Sequence, residues 1–312
     1  MKIKKIMGLM LFGALGLTSC NLEPDEKDNY QVSDFTACNL VIPTDGDAFA
    51  TRGNVYRLTF YPTIGNVTVQ GNNVNLGYTT VDFLTSEMPF VQSWQGNDNM
   101  TYSDIVKFSG GIYNLNGVTV TDLKGFYSTI VNIISKDDTQ IEGLPTKFFV
   151  PLIMQYTVNN NYRIKTFMPD QVYTGTTSLY TESTSSNFTN DAGKYRIVFS
   201  EDLKKADVVC YDAKFAERMP SITFVLRDLD VVYNKAGFAV QIPEGETIIP
   251  LWAEGNSLTP FPSYKFTSFL LSNSSDNLAT ASINYTVEGM GDRYRGMFNG
   301  SYVTDTVKTN QQ

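Results

Sequence analysis

Lys194-Tyr195-Arg196-Ile197-Val198-Phe199 and Ala281-Ser282-Ile283-Asn284-Tyr285-Thr286-Val287 decide the fold class. In each run polar and apolar residues alternate, and the apolar set is β-branched or aromatic. That pattern suits a strand with one buried and one solvated face. It recurs in Val55-Tyr56-Arg57-Leu58-Thr59-Phe60, in Asn66-Val67-Thr68-Val69-Gln70 and in Gly117-Val118-Thr119-Val120. Gly, Asn and Asp break the chain often. Helical periodicity is confined to two short candidates. Tyr211–Met219 is stopped by Pro220, and Tyr127–Ile134 has a β-branched content that fits a strand equally well. The chain reads as mainly β.

Four short matches occur in the same order in its two halves. Tyr56–Phe60 matches Tyr195–Phe199, and Asp122-Leu123 matches Asp228-Leu229. Pro145-Thr146-Lys147-Phe148 is similar to Pro262-Ser263-Tyr264-Lys265-Phe266, and Gln155-Tyr156-Thr157-Val158 matches Asn284-Tyr285-Thr286-Val287. The repeat implies two tandem antiparallel β domains, 55–177 and 194–304. Residues 178–193, SLYTESTSSNFTNDAG, read as a linker or a long exposed loop. Residues 305–312 read as a frayed polar tail.

The first residues are MKIKKIMGLMLFGALGLTSC. Lys2, Lys4 and Lys5 precede an apolar run, Ile6–Leu17, too short to remain as a spanning helix. Leu17-Thr18-Ser19-Cys20 reads as a lipobox. The segment resembles bacterial lipoprotein signals: 1–19 would be removed, Cys20 would carry the lipid, and 20–54 would be anchor and tether. The acidic stretch Asn21–Asp28 resembles the export signal of Bacteroidota surface lipoproteins, which implies a lipid-anchored, surface-exposed place on the outer membrane.

Composition excludes several functions. The net charge is −8, and loss of the three leader lysines makes the mature chain more acidic still. Nucleic acid, which needs clustered Lys and Arg, is excluded as a partner. The chain has no histidine, so Ser-His-Asp and Cys-His mechanisms and His-ligated metals are excluded. Carboxylate-pair and Ser-Lys hydrolases survive that test. Beyond Cys20 only Cys38 and Cys210 remain. Their compartment permits a disulfide, but their positions favour two separate buried thiols.

Tyr195–Phe199, Ala206-Asp207-Val208-Val209, Ala213-Lys214-Phe215-Ala216-Glu217-Arg218-Met219-Pro220, Ile248-Ile249-Pro250 and Pro262-Ser263-Tyr264 resemble lipocalin-like (calycin-like) lipoproteins of Bacteroidales. That resemblance implies β-barrels at the cell surface, and no particular reaction. Closure into a barrel also removes sheet edges, and the segment Tyr211–Met219 would plug one end. Lipobox, length and paired β domains resemble the fimbrillins as well. That alternative implies β-sandwiches, a structural or adhesive role, and cleavage after an exposed Arg52.

Candidate sites are few. Trp94, in Val91-Gln92-Ser93-Trp94-Gln95-Gly96-Asn97-Asp98-Asn99, fits a sugar-stacking loop, and more readily an aromatic anchor of that loop to the core. Trp252 has apolar neighbours and reads as core. Asn97, Asp98, Asn99 and Asp104 offer oxygens for calcium but lack a full binding-loop pattern, and read as a turn, as does Asp137-Asp138. Glu244 and Glu246 flank Gly245 in a Pro/Gly turn, where two carboxylates are ordinarily solvated rather than catalytic. Lys204-Lys205 and Gly289–Gly296 read as turns. The expectation is a non-enzymatic lipoprotein without cofactor or metal, anchored at Cys20, binding a small amphiphile or glycan through Trp94.

Overall fold

The protein is described by a computed structural model covering residues 29–301, except 97–101, 111, 116, 132–140, 142, 144–151, 255–256, 274–277 and 279. The described residues form twenty strands and no helix. In the first half these are β1 (Gln31–Pro43), β2 (Phe49–Tyr61), β3 (Asn66–Asn75), β4 (Thr80–Leu84), β5 (Met88–Gly96), β6 (Tyr102–Ser109), β7 (Tyr113–Leu115), β8 (Val118–Val131), β9 (Leu152–Val158) and β10 (Tyr162–Phe167). In the second half they are β11 (Asp170–Thr181), β12 (Ser186–Phe199), β13 (Lys205–Ala213), β14 (Ile222–Tyr233), β15 (Phe238–Gln241), β16 (Leu251–Glu254), β17 (Ser257–Pro260), β18 (Tyr264–Asn273), β19 (Thr280–Gly289) and β20 (Asp292–Ser301).

Each half closes on itself. β11, β12, β13, β14, β15, β18, β19 and β20 pair in that order, and β20 returns to β11 through Thr174↔Ser301 to Thr181↔Tyr294. The hairpin β16–β17 hangs off β14. In the first half β1, β2, β3, β5, β6, β8, β9 and β10 follow the same up-and-down course, and β10 returns to β1. The β3–β5 seam rests on two residue pairs, with Phe90 N–H donating to Gly65 O at 3.0 Å beside it. These are two tandem barrels, each closed by antiparallel pairing rather than built as a two-sheet sandwich.

The boundaries differ from the sequence reading. Segment 178–193 is not a linker: it is the β11–β12 hairpin, turning at Glu182–Ser185, where Ser185 has φ 50°. Its Ser, Thr and Asn side chains belong to an outward strand face, while Leu179 points into the core. Nor is 31–54 a tether. Ala37–Ile42 is buried on both faces. Phe35, Ala37 and Val41 join the first barrel's core, while Cys38, Leu40 and Ile42 join the core of the second. The unbroken apolar run follows from that double burial, as in strands covered on both sides.

The helix candidates form other structures. Tyr127 lies in β8. Tyr211–Ala213 ends β13, and the chain from Lys214 runs irregularly to Pro220. The hairpin at Gly289–Asp292 is as expected, with Met290 (φ 52°) and Gly291 (φ 78°) in the left-handed conformations of a type I′ turn. Lys204 lies in a turn, whereas Lys205 begins β13 and pairs with Asp230 at 2.5 Å.

Two of the four repeat matches fall on equivalent strands. Tyr56 and Tyr195 lie on the second strand of their rings, Tyr156 and Tyr285 on the seventh. All four are buried. The Tyr56 and Tyr156 hydroxyls meet at 2.6 Å, and Tyr195 and Tyr285 are hydrogen-bonded in the same way. Asp122 and Asp228 share a positive φ (55° and 57°) but sit on the sixth and fourth ring strands, so they are not equivalent. Pro145–Phe148 lies outside the described residues.

The barrels share a packed joint. Phe167 lies 5.3 Å from Phe199 and 5.4 Å from Phe238, ring centre to ring centre. Around this apolar centre, Lys165 Nζ donates to Ala236 O (2.7 Å) and Arg163 Nη2 to Lys235 O (3.1 Å). Arg52 Nη1 donates to Ser200 O (3.0 Å) and its guanidinium pairs with Glu201 (3.1 Å). Arg52 is therefore not an exposed linker residue. It lies in β2 at a bulge where Arg52 and Gly53 oppose Cys38 alone, and Gly53 takes the φ of +80° that the bulge requires.

Candidate functional site

Among the described residues, both ends of the second barrel are occupied by side chains or by the neighbouring barrel. At one end Phe215, 1 % exposed, inserts from the loop after β13. Its ring lies 5.1 Å from Tyr264, 5.8 Å from Phe224 and 6.0 Å from Tyr294. The segment expected as a helical plug thus does plug the barrel, as a loop. At the other end, the turns 200–204 and 234–237 abut β2 and β10, with Phe167 against Phe199 and Phe238. Between the ends, Tyr195 lies 4.5 Å from Phe298, and Phe266 lies 5.7 Å from Tyr285. In the first barrel Tyr56 donates to Asn39 Oδ1 (2.9 Å) and meets Tyr156, whose ring lies 5.3 Å from Phe83. The aromatic richness of the sequence fills these interiors.

The concavity lies outside, on the wall of the second barrel. It is a groove of about 990 Å³, at the upper end of the usual small-molecule range of about 300–1,000 Å³. Its floor is the outward face of β18, β19, β20, β11 and β12. Register aligns Ser268, Thr286, Arg295, Tyr180 and Asn187 in one row across these strands. A second row, two residues along, holds Leu270, Asn284, Met297 and Ser178. Inward neighbours are core residues: Leu179, Tyr285 and Phe269 alternate with the groove residues. Gly296, directly opposite Tyr285, leaves room for that ring beneath the floor.

One wall is the connection Ile242–Thr247. Ile242 N–H donates to Phe269 O (3.1 Å), and Ile248 rejoins the sheet opposite Phe266. Between them the chain bends out in a turn closed by Glu246 N–H to Pro243 O (3.0 Å), with Gly245 at φ +80°. Glu244 and Glu246 are exposed on this turn and line the groove. On the floor, Arg295 donates to Glu182 Oε1 at 2.5 Å. The turn that carries Glu182 is itself braced, since Ser183 hydrogen-bonds Asp292 through both N–H and hydroxyl. The Ser183 hydroxyl, foremost, holds the Asp292 carboxyl below its ordinary range. The result is a rigid polar floor with apolar patches, and acceptors along one rim.

The expected site residues are dispersed. Trp94 lies on β5 of the first barrel, opposite Asp104 of β6, and so on a strand rather than a loop. β5 is not among the strands that form the groove floor. Asn97–Asn99, Asp137-Asp138, the tail Val307–Gln312 and the lipidation residue Cys20 lie outside the described residues. Trp252 is not in a barrel core: it is half-buried on β16, 5.3 Å from Phe261. Cys38 and Cys210 are free and buried, as the sequence favours, and burial pushes both thiols up to about 12. No cluster of three metal-ligating side chains occurs among the described residues. Glu244 and Glu246 apart, the floor residues escaped the sequence reading because each is an outward position in a strand. The signal was there in Ser178-Leu179-Tyr180, Asn284-Tyr285-Thr286 and Arg295-Gly296-Met297, whose outward members share one face once the ring closes.

No family model matches this chain, and no curated protein does. Among solved structures, the isotype 1 transferrin binding protein B (TbpB) from serogroup B Neisseria meningitidis is similar at 9% identity and a TM-score of 0.24. The likeness covers 89% of this chain and 77% of that one. At that score it adds nothing to the architecture described above, and the site rests on its own geometry.

Proposed function

We propose that this chain is a non-catalytic lipoprotein, lipidated at Cys20 and displayed on the bacterial outer membrane, that binds a small amphiphile or glycan in the groove on the outer wall of its second barrel. The observation that carries the reading is the pairing of a second barrel filled by aromatic side chains among the described residues with a large groove on its outer wall. The described interior of the second barrel is packed with aromatic rings, and the groove presents hydroxyls, amides, an aromatic ring and apolar side chains together. The leader supports the anchor. The histidine-free composition, and the placement of Glu244 and Glu246 side by side on one exposed turn, support a binding role over catalysis: a glycosidase pair faces the scissile bond from two sides, its carboxyl groups about 5–9.5 Å apart.

Native mass spectrometry of the chain from Asn21 onward, incubated with a glycan and lipid extract, tests the reading. A discrete adduct is expected, and Asn284→Trp, which fills the groove centre from an exposed position, should abolish it. An adduct retained by Asn284→Trp would place the ligand elsewhere. The absence of any adduct would remove the binding role. Replacement of Cys20 by Ser should release the protein from the membrane fraction.

A further inference from the structure

We propose that the groove is built for an uncharged, extended oligosaccharide and discriminates against acidic glycans; this rests on the groove being the binding site. Shape is the first argument. The row from Ser268 to Asn187 crosses five strands, a span of about 19 Å at about 4.8 Å per strand. The groove is open along its length, which suits a chain rather than a single compact molecule.

Chemistry is the second argument. Ser268, Thr286, Asn284 and Asn187 supply short hydroxyls and amides that both donate and accept, matching vicinal hydroxyls. Tyr180 sits among them, directly opposite Arg295, and its ring offers a flat face with low ordering cost. Leu270 and Met297, 41% and 48% exposed, lie in the second row, where they can meet the apolar C–H faces of a sugar. An amphiphile with a long alkyl chain would want a continuous apolar track. Here Asn284 separates Leu270 from Met297.

Charge is the third argument. Arg295 is the cation of the floor, and Glu182 already holds it at 2.5 Å. Glu244 and Glu246 stand on the rim without a comparable partner in the groove. Lys205, whose charge reaches Glu246, is engaged by Asp230 at 2.5 Å. The lining and its brace thus carry three carboxylates against one guanidinium, in a chain of net charge −8. A uronate, sulfate or phosphate entering the groove meets like charge with no unpaired cation among the described lining residues to receive it, a cost that acts on partner choice.

The test uses the full lipoprotein in neutral detergent on an array of length-matched neutral and acidic oligosaccharides, with lysophosphatidylcholine as an amphiphile control. Binding is expected to neutral chains alone. Tyr180→Ala should weaken it by about tenfold or more, as loss of an aromatic anchor does. Glu244→Lys with Glu246→Lys should raise affinity for acidic chains on the order of tenfold, with a salt dependence the parent lacks. Acidic chains preferred by the parent, or neutral binding indifferent to Tyr180→Ala, would overturn the proposal. Lysophosphatidylcholine binding lost in Asn284→Trp, with no glycan bound, would overturn it while leaving the groove as the site. Binding of nothing at all would overturn both.

Discussion

The tyrosine pair inside the first barrel gives the sharpest test of how that interior is held. Tyr56 donates its proton to Asn39 Oδ1 (2.9 Å), so the short contact between the Tyr56 and Tyr156 hydroxyls (2.6 Å) must use the proton of Tyr156. The two residues are therefore unequal, although both are fully buried. Tyr56→Phe strands two groups at once, the Tyr156 proton and the Asn39 oxygen. At about 1–3 kcal/mol per unsatisfied buried group, the loss is about 2–6 kcal/mol. Tyr156→Phe removes one donor and leaves the Tyr56 hydroxyl still bonded to Asn39, a loss of about 1 kcal/mol. In the double variant no Tyr156 hydroxyl is left stranded, so its cost should not exceed that of Tyr56→Phe alone, a coupling of about 1 kcal/mol. Urea denaturation in a Trp252→Phe background makes Trp94 the reporter, and Trp94 belongs to the first barrel. With an m-value of about 2 kcal/mol/M, the midpoint should fall by about 1–3 M for Tyr56→Phe and about 0.5 M for Tyr156→Phe. Equal losses for the two singles, or strictly additive losses in the double, would refute the proton assignment and the network built on it.

Further outcomes follow from the same packing. Burial pushes the hydroxyls of Tyr56, Tyr156, Tyr195 and Tyr285 above their ordinary value. The folded state thus favours their neutral forms, a contribution complete below about pH 10 and lost as pH rises toward the folded values. Spectrophotometric titration should show these four ionising only together with cooperative unfolding; smooth early titration of all tyrosines would contradict the filled interiors. Cys38 and Cys210, raised from 9.0 to about 12 by burial, contribute in the same sense, losing their stabilisation from about pH 9 upward. At pH 8 neither should react with Ellman's reagent until guanidinium is added, and prompt labelling of the native protein would argue against their burial. Phe167→Ala should cost about 3–5 kcal/mol and separate the unfolding of the two barrels, read by Trp94 and Trp252 singly. One coincident transition in that variant would show that the joint does not depend on this ring. Trypsin should leave the Arg52-Gly53 bond intact in the folded protein, because the Arg52 side chain is held by Ser200 O and Glu201 at the joint and the strand is paired at Thr51 and Asn54 on either side of the bulge; rapid nicking there would revive assembly by strand donation.

The sequence carried the β class through period-two alternation, which depends only on each strand having a wet and a dry face. It carried the two-domain organisation through Tyr56 with Tyr195 and Tyr156 with Tyr285, because a buried hydroxyl needs a fixed partner and the same ring positions supply it twice. The histidine-free, acidic composition, the paired β domains and the two unpaired thiols were legible for similar local reasons. Where a residue faces two environments, the reading failed. Ala37–Ile42 looked like part of a tether because alternation vanishes when both faces are buried. SLYTESTSSNFTNDAG looked like a linker because its polar residues line an outward face that the sequence cannot distinguish from solvent-filled loop. Tyr211–Met219 was right as a plug and wrong as a helix, since Phe215 is placed by the rings around it rather than by local propensity. The groove was decided by tertiary structure alone. Ser268, Thr286, Arg295, Tyr180 and Asn187 lie on five strands and become one surface only when β20 closes onto β11. Ring closure and inter-strand register are properties of the whole sheet, and no window of sequence contains them.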